Sequence, residues 1–374
     1  MRNNPSGPKL FYHLPMIRIG SLYMLLFLLP ETVYCQYVLR LPDASWNVVP
    51  ARYHLERVVD DRKEKDTAGE IIRGSQKSQI RFDRSVEEAL YLHVCSGLKQ
   101  DSSHTAGLEL HIDRFRLRDL DNNNKHTITL DMKLRMVRPI EGTFQTLFEQ
   151  ESKPSYTIIG PDVSEIPVRL ATQSIRSFFL EFDKWATNHP DQPWFMNHTA
   201  VELRSHAQKF YGSKDTILWS PSYRLVWSDF KGKAPVPSPY SAQSNCLYTL
   251  SSIPRFSTDT MYLTVRLHPC FTRDASWVES SSKQDSLLQH EQLHFDLCEL
   301  YGRRFRKAIS EKKFSLLDYD KELNSLFRQV WDDYRKAQDN YDAETRHGII
   351  TEMQETWRHT VETDLEKLSE FSTQ

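Results

Sequence analysis

The chain has 374 residues, more than one hydrophobic core ordinarily organises, so two domains are expected. Hydrophobic residues make up 39% and charged residues 26%, a globular composition that excludes a disordered chain. The formal net charge of −2 leaves no basic field of the kind that binds nucleic acid, and no nucleic-acid partner is expected.

In chain order, Arg2, Lys9 and Arg18 precede a short apolar run, Ile19 to Pro30. That run is shorter than the roughly 20 residues that span a bilayer. A basic lead followed by a short apolar stretch predicts a signal peptide over residues 1–35 and a mature chain beginning near Gln36. The expectation is a secreted or periplasmic protein with no transmembrane span in its mature part. A lipid on Cys35 is disfavoured, because bulky Tyr34 stands where a lipoprotein signal takes a small residue.

Residues 36–200 read as a mixed α/β module. His54 to Val59 patterns as a strand, Ser85 to Leu98 as a helix, and Leu108 to Leu117 and Thr127 to Val137 alternate as paired strands do. Asp121-Asn122-Asn123-Asn124 is the turn between the last two, and Val168 to Trp185 carries apolar residues at helical spacing. This order, with Asp60 and Arg62 after the first strand, resembles small periplasmic lipoprotein or transport-accessory domains. No catalytic constellation is visible in the module, and its partner is unassigned. Asn188-His189-Pro190-Asp191-Gln192-Pro193 breaks the pattern and predicts a linker.

Residues 201–374 predict a small antiparallel sheet followed by long helices. Cys246 to Ser252 and Met261 to Leu267 read as paired strands, and Gln284 to Ile309, Tyr319 to Asn340 and Ile349 to Phe371 as helices. Cys246 and Cys270 flank the hairpin and are the plausible disulfide pair in an exported protein; four buried thiols are the alternative.

The chemistry lies in His290-Glu291-Gln292-Leu293-His294. Residues four apart on a helix are offset by about 40°, so both imidazoles leave one face, a turn apart, as two ligands of one zinc ion require. Glu291, about 100° round from His290, is placed to take a proton from a water activated by the metal. The competing reading is a pair of core histidines satisfied by ordinary hydrogen bonds, since Leu287, Leu297, Tyr301 and Phe305 share their face. A third ligand has to come from elsewhere. Glu299 lies about 180° from His290 round the helix, and Asp296 fails similarly. The candidates sit in Tyr341-Asp342-Ala343-Glu344-Thr345-Arg346-His347-Gly348, a break between two helices. His347 is the first choice, with Asp342 and Glu344 in reserve, and Gly348 allows a tight backbone there.

Residues 219–370 resemble the bacterial domain of unknown function family 922. The likeness rests on Leu225 to Gly232, Ser238 to Ala242, Phe271 to Val278, Leu288 to Asp296, and Tyr341-Asp342-x-x-Thr345-x-His347-Gly348. It implies an α+β, zincin-like second domain and a secreted zinc metallopeptidase acting on peptide or protein. Two other functions stay open: a non-catalytic exported module with a relic helix, and a zinc amidase acting on cell-wall material.

Overall fold

In the first half of the chain, polar and apolar residues alternate, and the products are β1 (Tyr37–Leu39), β2 (Tyr53–Asp60), β3 (Gly69–Arg73) and β4 (Gln76–Phe82), then helix α1 (Val86–Gly97). There follow β5 (Ala106–Asn122), β6 (Lys125–Ile140), β7 (Thr143–Ser152), β8 (Ser155–Ile159) and helix α2 (Glu165–Asn188). The computed structural model describes residues 37–103, 105–160, 163–204 and 215–372. The expected signal segment, Cys35 and the start at Gln36 lie outside the described residues.

All eight strands form one sheet in the order β1-β4-β3-β5-β6-β7, with β2 also on β5 and β8 also on β6. The β5–β6 hairpin is its spine. The turn falls at Asn123 and Asn124, whose φ values of 54° and 61° are the paired left-handed residues of a two-residue hairpin loop. One face of the sheet is covered by α1 and α2. Ser85 caps α1 by accepting the Glu88 N–H at 3.2 Å. From α2, Phe178, Phe179 and Phe182 are fully buried, each contributing about 1.5–3 kcal/mol by area. Residues 188–193, which follow from the end of α2, are exposed or half-buried, and Phe195 and Met196 then turn into this same core.

The second half begins with β9 (His198–Leu203) and β10 (Thr216–Leu218), followed by β11 (Ala242–Gln243), β12 (Cys246–Ser257), β13 (Thr260–Thr272) and β14 (Trp277–Val278). Three helices complete it: α3 (Asp285–Glu311), α4 (Tyr319–Thr345) and α5 (Thr351–Lys367). The β12–β13 hairpin is antiparallel with β10 beside it, but β9 pairs with β13 in parallel, so this sheet is mixed rather than antiparallel. Leu263, Val265 and Leu267 project from β13 onto Phe305 and Ile309 of α3. Met261 and Leu316 pack into the core of the first half, and residues 36–374 form one compact unit. Among the described residues, no helix is long and apolar enough to cross a membrane.

The expected Cys246–Cys270 bridge is absent, and all four described cysteines are free thiols. In the hairpin register Cys246 faces Phe271, while Cys270 faces Leu247. Neighbouring residues on a strand point to opposite sides, so the two thiols lie on opposite faces of the hairpin.

Candidate metal centre

Helix α3 is buried on nearly every side, and each face of its His-Glu-Gln-x-His-Phe-Asp string has separate partners. Leu293, Leu297 and Leu300 supply core contacts. Gln292 and Asp296 hold the preceding segment. The Leu225 N–H donates to Gln292 Oε1 at 2.8 Å; Trp219 Nε1 donates to Asp296 Oδ1 at 2.8 Å and Arg224 Nη1 to Asp296 Oδ2 at 2.7 Å. Further along, Glu299, 0% exposed, accepts from Arg303 at 2.7 Å and from Arg306 at 2.9 Å. Those guanidiniums also donate to the carbonyls of Leu365 and Phe371, tying the C-terminal residues to α3.

The remaining face carries His290 and His294. Against it lies a stripe of α4, Tyr334, Gln338, Tyr341, Asp342 and Thr345, spaced as one helix face. The Tyr341 ring stacks on His290 with centroids 4.7 Å apart and 24° between planes, and stands edge-on to His294 at 4.9 Å. Thr345 closes the helix: its hydroxyl donates to the Tyr341 carbonyl and accepts the Gly348 N–H at 3.2 Å. Arg346, His347 and Gly348 then take positive φ, 47°, 53° and 83°, and reverse the chain into α5. A Cβ on Gly348 would stand 3.1 Å from both Cβ and Cγ of His290, so only glycine lets the backbone pass there.

Two glutamines set the imidazole tautomers. Gln338 Nε2 donates to the His294 carbonyl at 3.0 Å, and Gln354 Nε2 donates to the Tyr341 hydroxyl, which fixes both amide orientations. Each Oε1 therefore faces a ring Nδ1, Gln338 towards His294 and Gln354 towards His290 at 3.2 Å. An amide oxygen only accepts, so Nδ1 carries the proton in both rings and Nε2 is left with a lone pair.

Those lone pairs converge. His290 Nε2 and His294 Nε2 are 3.2 Å apart, and each lies 3.1 Å from Asp342 Oδ1. Three electron-pair donors meeting at one point need either added protons or a shared cation between them. A tetrahedral zinc ion with ligands at about 2.0–2.1 Å has donor–donor edges of about 3.3–3.4 Å, close to the observed triangle. Among the described residues, His290, His294 and Asp342 form the one group of three whose ligand atoms meet this closely.

The first-choice ligand, His347, stands outside that triangle. Its Nδ1 is 3.3 Å from Asp342 Oδ1, and its half-exposed ring leans on Tyr240 at 4.9 Å. Glu344 turns away, accepting from Trp357 Nε1 at 2.8 Å. The structure thus brings together both histidines and the reserve carboxylate, with His347 as a neighbour of the latter. Sequence reasoning missed Gln338 and Gln354. Gln338 was accessible as the residue one turn before Asp342, whereas nothing in the sequence marks Gln354.

Glu291 is 3% exposed, and its Oε2 has no hydrogen-bond partner among the described residues. It lines, with the three converging residues, a cleft of about 790 Å³ bounded by residues 239–246, the start of α3 and the Arg346–Thr351 turn. Burial works against the charged form of Asp342, but hydrogen bonds and charge from His290 and His294 hold its carboxyl well below the usual carboxylate range. Burial likewise opposes the imidazolium of His294, and Asp342, Glu291 and Gln338 outweigh it, so its pKa is raised. The Cys246 thiol also lines the cleft, and burial pushes it well above the ordinary cysteine value.

These features define a mixed α/β protein with a two-histidine, one-carboxylate constellation at the junction of three helices. Residues 274–348, which contain α3, α4 and the turn after Asp342, match the family model described as "Bacterial protein of unknown function (DUF922)". No curated protein matches the chain. Two solved structures are similar to part of it at 10% identity. One, titled only an uncharacterized protein, is covered over 97% of its length by 40% of this chain, with a TM-score of 0.26. The other is protein XCC0632 from Xanthomonas campestris, of family DUF330, covered over 94% by 40% of this chain, with a TM-score of 0.28. No functional reading rests on either.

Proposed function

We propose that this protein is a zinc-dependent hydrolase, a metallopeptidase exported through residues 1–35. The observation that carries the reading is the convergence of His290 Nε2, His294 Nε2 and Asp342 Oδ1 at 3.1–3.2 Å beside the unpartnered Oε2 of Glu291. His290, His294 and Asp342 would hold the metal. Zinc, when bound, supplies Lewis acidity that polarises a carbonyl and makes water a stronger acid. Glu291 Oε2 takes one proton from the attacking water as the water oxygen bonds to the carbonyl carbon. It then delivers that proton to the leaving nitrogen as the C–N bond breaks, giving an acid and an amine. Gln338 and Gln354 hold the proton of each neutral ring on Nδ1, which leaves Nε2 to face the metal, and the Tyr341 ring closes the site from behind.

A buried carboxylate beside the ligands favours catalysis over a relic helix, because a purely structural metal has no use for Glu291. The test is elemental analysis and hydrolysis assays on the wild type, Glu291→Gln and His294→Ala, with a peptide pool and, separately, cell-wall fragments as substrates. Wild type should bind one zinc and cut peptides. Glu291→Gln should keep the zinc and lose about 10²–10⁴-fold in rate. His294→Ala should lose the metal. Unchanged hydrolysis by zinc-loaded Glu291→Gln refutes the catalytic role, and cleavage of wall fragments alone replaces peptidase with amidase.

A further inference from the structure

Beyond the metal ligands, the cleft holds one permanent cation. Arg346 follows α4 in the left-handed conformation and lines the cleft together with Glu291, Asp342 and both histidines. The residue is exposed, and among the described residues its guanidinium makes no ion pair and no hydrogen bond, so it is free to meet a ligand at the mouth of the cleft. The acidic groups in the same wall are Glu291 and Asp342, and the Asp342 carboxylate is already shared by His290, His294 and His347. Uncharged hydroxyls and amides such as Ser241, Gln243, Ser244 and Asn245 make up much of the remainder.

Two helices also start in this cleft. Ser286 and Leu287 bring in the first turn of α3, and Thr351 that of α5. Neither helix has a side-chain cap. Their first helical bonds run from Leu288 to Gln284 and from Gln354 to Ile350. The N–H groups of 285–287 and 351–353 therefore have no acceptor among the described residues, and both positive helix ends add to the field of Arg346. Asp285 and Glu352, the acidic residues of those turns, are exposed and lie outside the cleft wall. The buried Glu291, whose Oε2 has no partner among the described residues, lines the same cleft, so a peptide held by Arg346 lies in the cleft of the proposed general base.

We propose that the cleft selects a peptide carrying a carboxylate, and that Arg346 is the specificity-determining residue that grips it. This inference rests on the peptidase reading above. The planar guanidinium offers a carboxylate two parallel N–H bonds, which neither a hydroxyl nor an amide partner of the substrate can use as well. A charge-assisted pair of this kind strengthens binding by about 10- to 100-fold.

The test uses zinc-loaded Glu291→Gln protein, which should bind without turnover, and four degenerate hexapeptide libraries. One position is fixed as Glu or Gln, and the C-terminus is a free acid or an amide. Calorimetry should show about 10-fold or greater preference for one carboxylate. Preference for the Glu libraries at either terminus identifies a side-chain carboxylate, and preference for the free acids identifies the terminal one. The preference should vanish with Arg346→Gln added and turn towards a Lys-containing library with Arg346→Glu, zinc content being unchanged in both. Equal binding of all four libraries, binding of none, or a preference that survives Arg346→Gln overturns the inference. Hydrolysis by the wild type decides the peptidase reading separately: cleavage without carboxylate preference sinks this inference alone, and preference without cleavage sinks the peptidase alone.

Discussion

Replacing Gly348 by alanine separates the contribution of the turn from that of the metal ligands. The residue has φ 83°, where an L-amino acid costs about 1–2 kcal/mol. The new methyl would also stand 3.1 Å from Cβ and Cγ of His290 and 3.3 Å from its Nδ1. The ring has no room to yield. Tyr341 stacks on it, Gln354 holds Nδ1, and Nε2 sits in the ligand triangle. Overpacking of this sort costs about 1–3 kcal/mol, so the two effects together come to about 2–5 kcal/mol. Gly142 is a matched control. Its φ is 77°, and a Cβ there meets nothing within 4 Å. Gly142→Ala should therefore cost only about 1–2 kcal/mol. Denaturant unfolding of the metal-free proteins measures both, and competition with a chelator measures zinc affinity. Gly348→Ala should weaken zinc by at least about 10-fold, the scale on which disturbed ligand orientation acts. Gly142→Ala should leave it unchanged. Equal destabilisation by the two substitutions, with zinc affinity intact in both, would refute the proposed cradle for His290.

Asp342→Asn should reduce zinc affinity more than His347→Ala, because only the former removes an atom of the 3.1–3.2 Å triangle; chelator competition ranks them, and the reverse order makes His347 the ligand. The metal-free protein should show a pH signature in thermal unfolding. The raised pKa of His294 contributes stability that is complete below about pH 6.5 and lost as pH rises through the folded value, whereas the depressed pKa of Asp342 contributes stability present above about pH 4 and lost only in acid. Stability from this pair should peak between those limits, decline towards alkaline pH, and flatten in Asp342→Asn; an alkaline decline of the same size in that variant argues against the coupling. Zinc affinity should move the opposite way and rise with pH, since the metal displaces protons. Glu299→Ala leaves the guanidiniums of Arg303 and Arg306 buried without their carboxylate and should cost about 3–5 kcal/mol in equilibrium unfolding, against little for an exposed pair such as Lys321–Asp318.

Periodicity located the long elements of this chain because their burial is regular. Each of the three C-terminal helices begins within two residues of where its apolar spacing places it, and the Asn-rich turn between β5 and β6 follows from the tolerance of asparagine for left-handed φ. The short strands were invisible for the converse reason. β3 and β4 are stretches of five and seven residues with few buried side chains, and β11 and β14 have two residues each, so their pairing is decided by long-range contacts. The parallel pairing of β9 with β13 depends on a crossover of more than fifty residues, which local pattern does not encode. At the site, His290, Glu291 and His294 were legible because one helix fixes their mutual geometry. The choice between Asp342 and His347 was not. Both lie in one eight-residue stretch, and what separates them is that α4 continues through Asp342 to Thr345 while His347 falls in the turn that follows.

The blandest account of α3, two core histidines satisfied by ordinary hydrogen bonds, makes a definite demand on polar arithmetic. A neutral imidazole has one donor and one acceptor, and a buried one settles when each meets its complement. Here the donors are settled, since both Nδ1 atoms face amide oxygens whose own orientation is fixed by a second bond. The acceptors face each other and a carboxylate oxygen. Neither a ring flip nor a proton shift repairs this: a flip sets carbon atoms, Cδ2 and Cε1, where the two nitrogens stand, and moving the proton to Nε2 sets a lone pair against the glutamine oxygen. Either extra protons or a metal ion must fill the centre, and the two alternatives compete for the same lone pairs. Zinc uptake by the folded protein should therefore release protons in proportion to the His294 imidazolium present, most at acid pH, and uptake without proton release at pH 6 would show that the metal binds elsewhere.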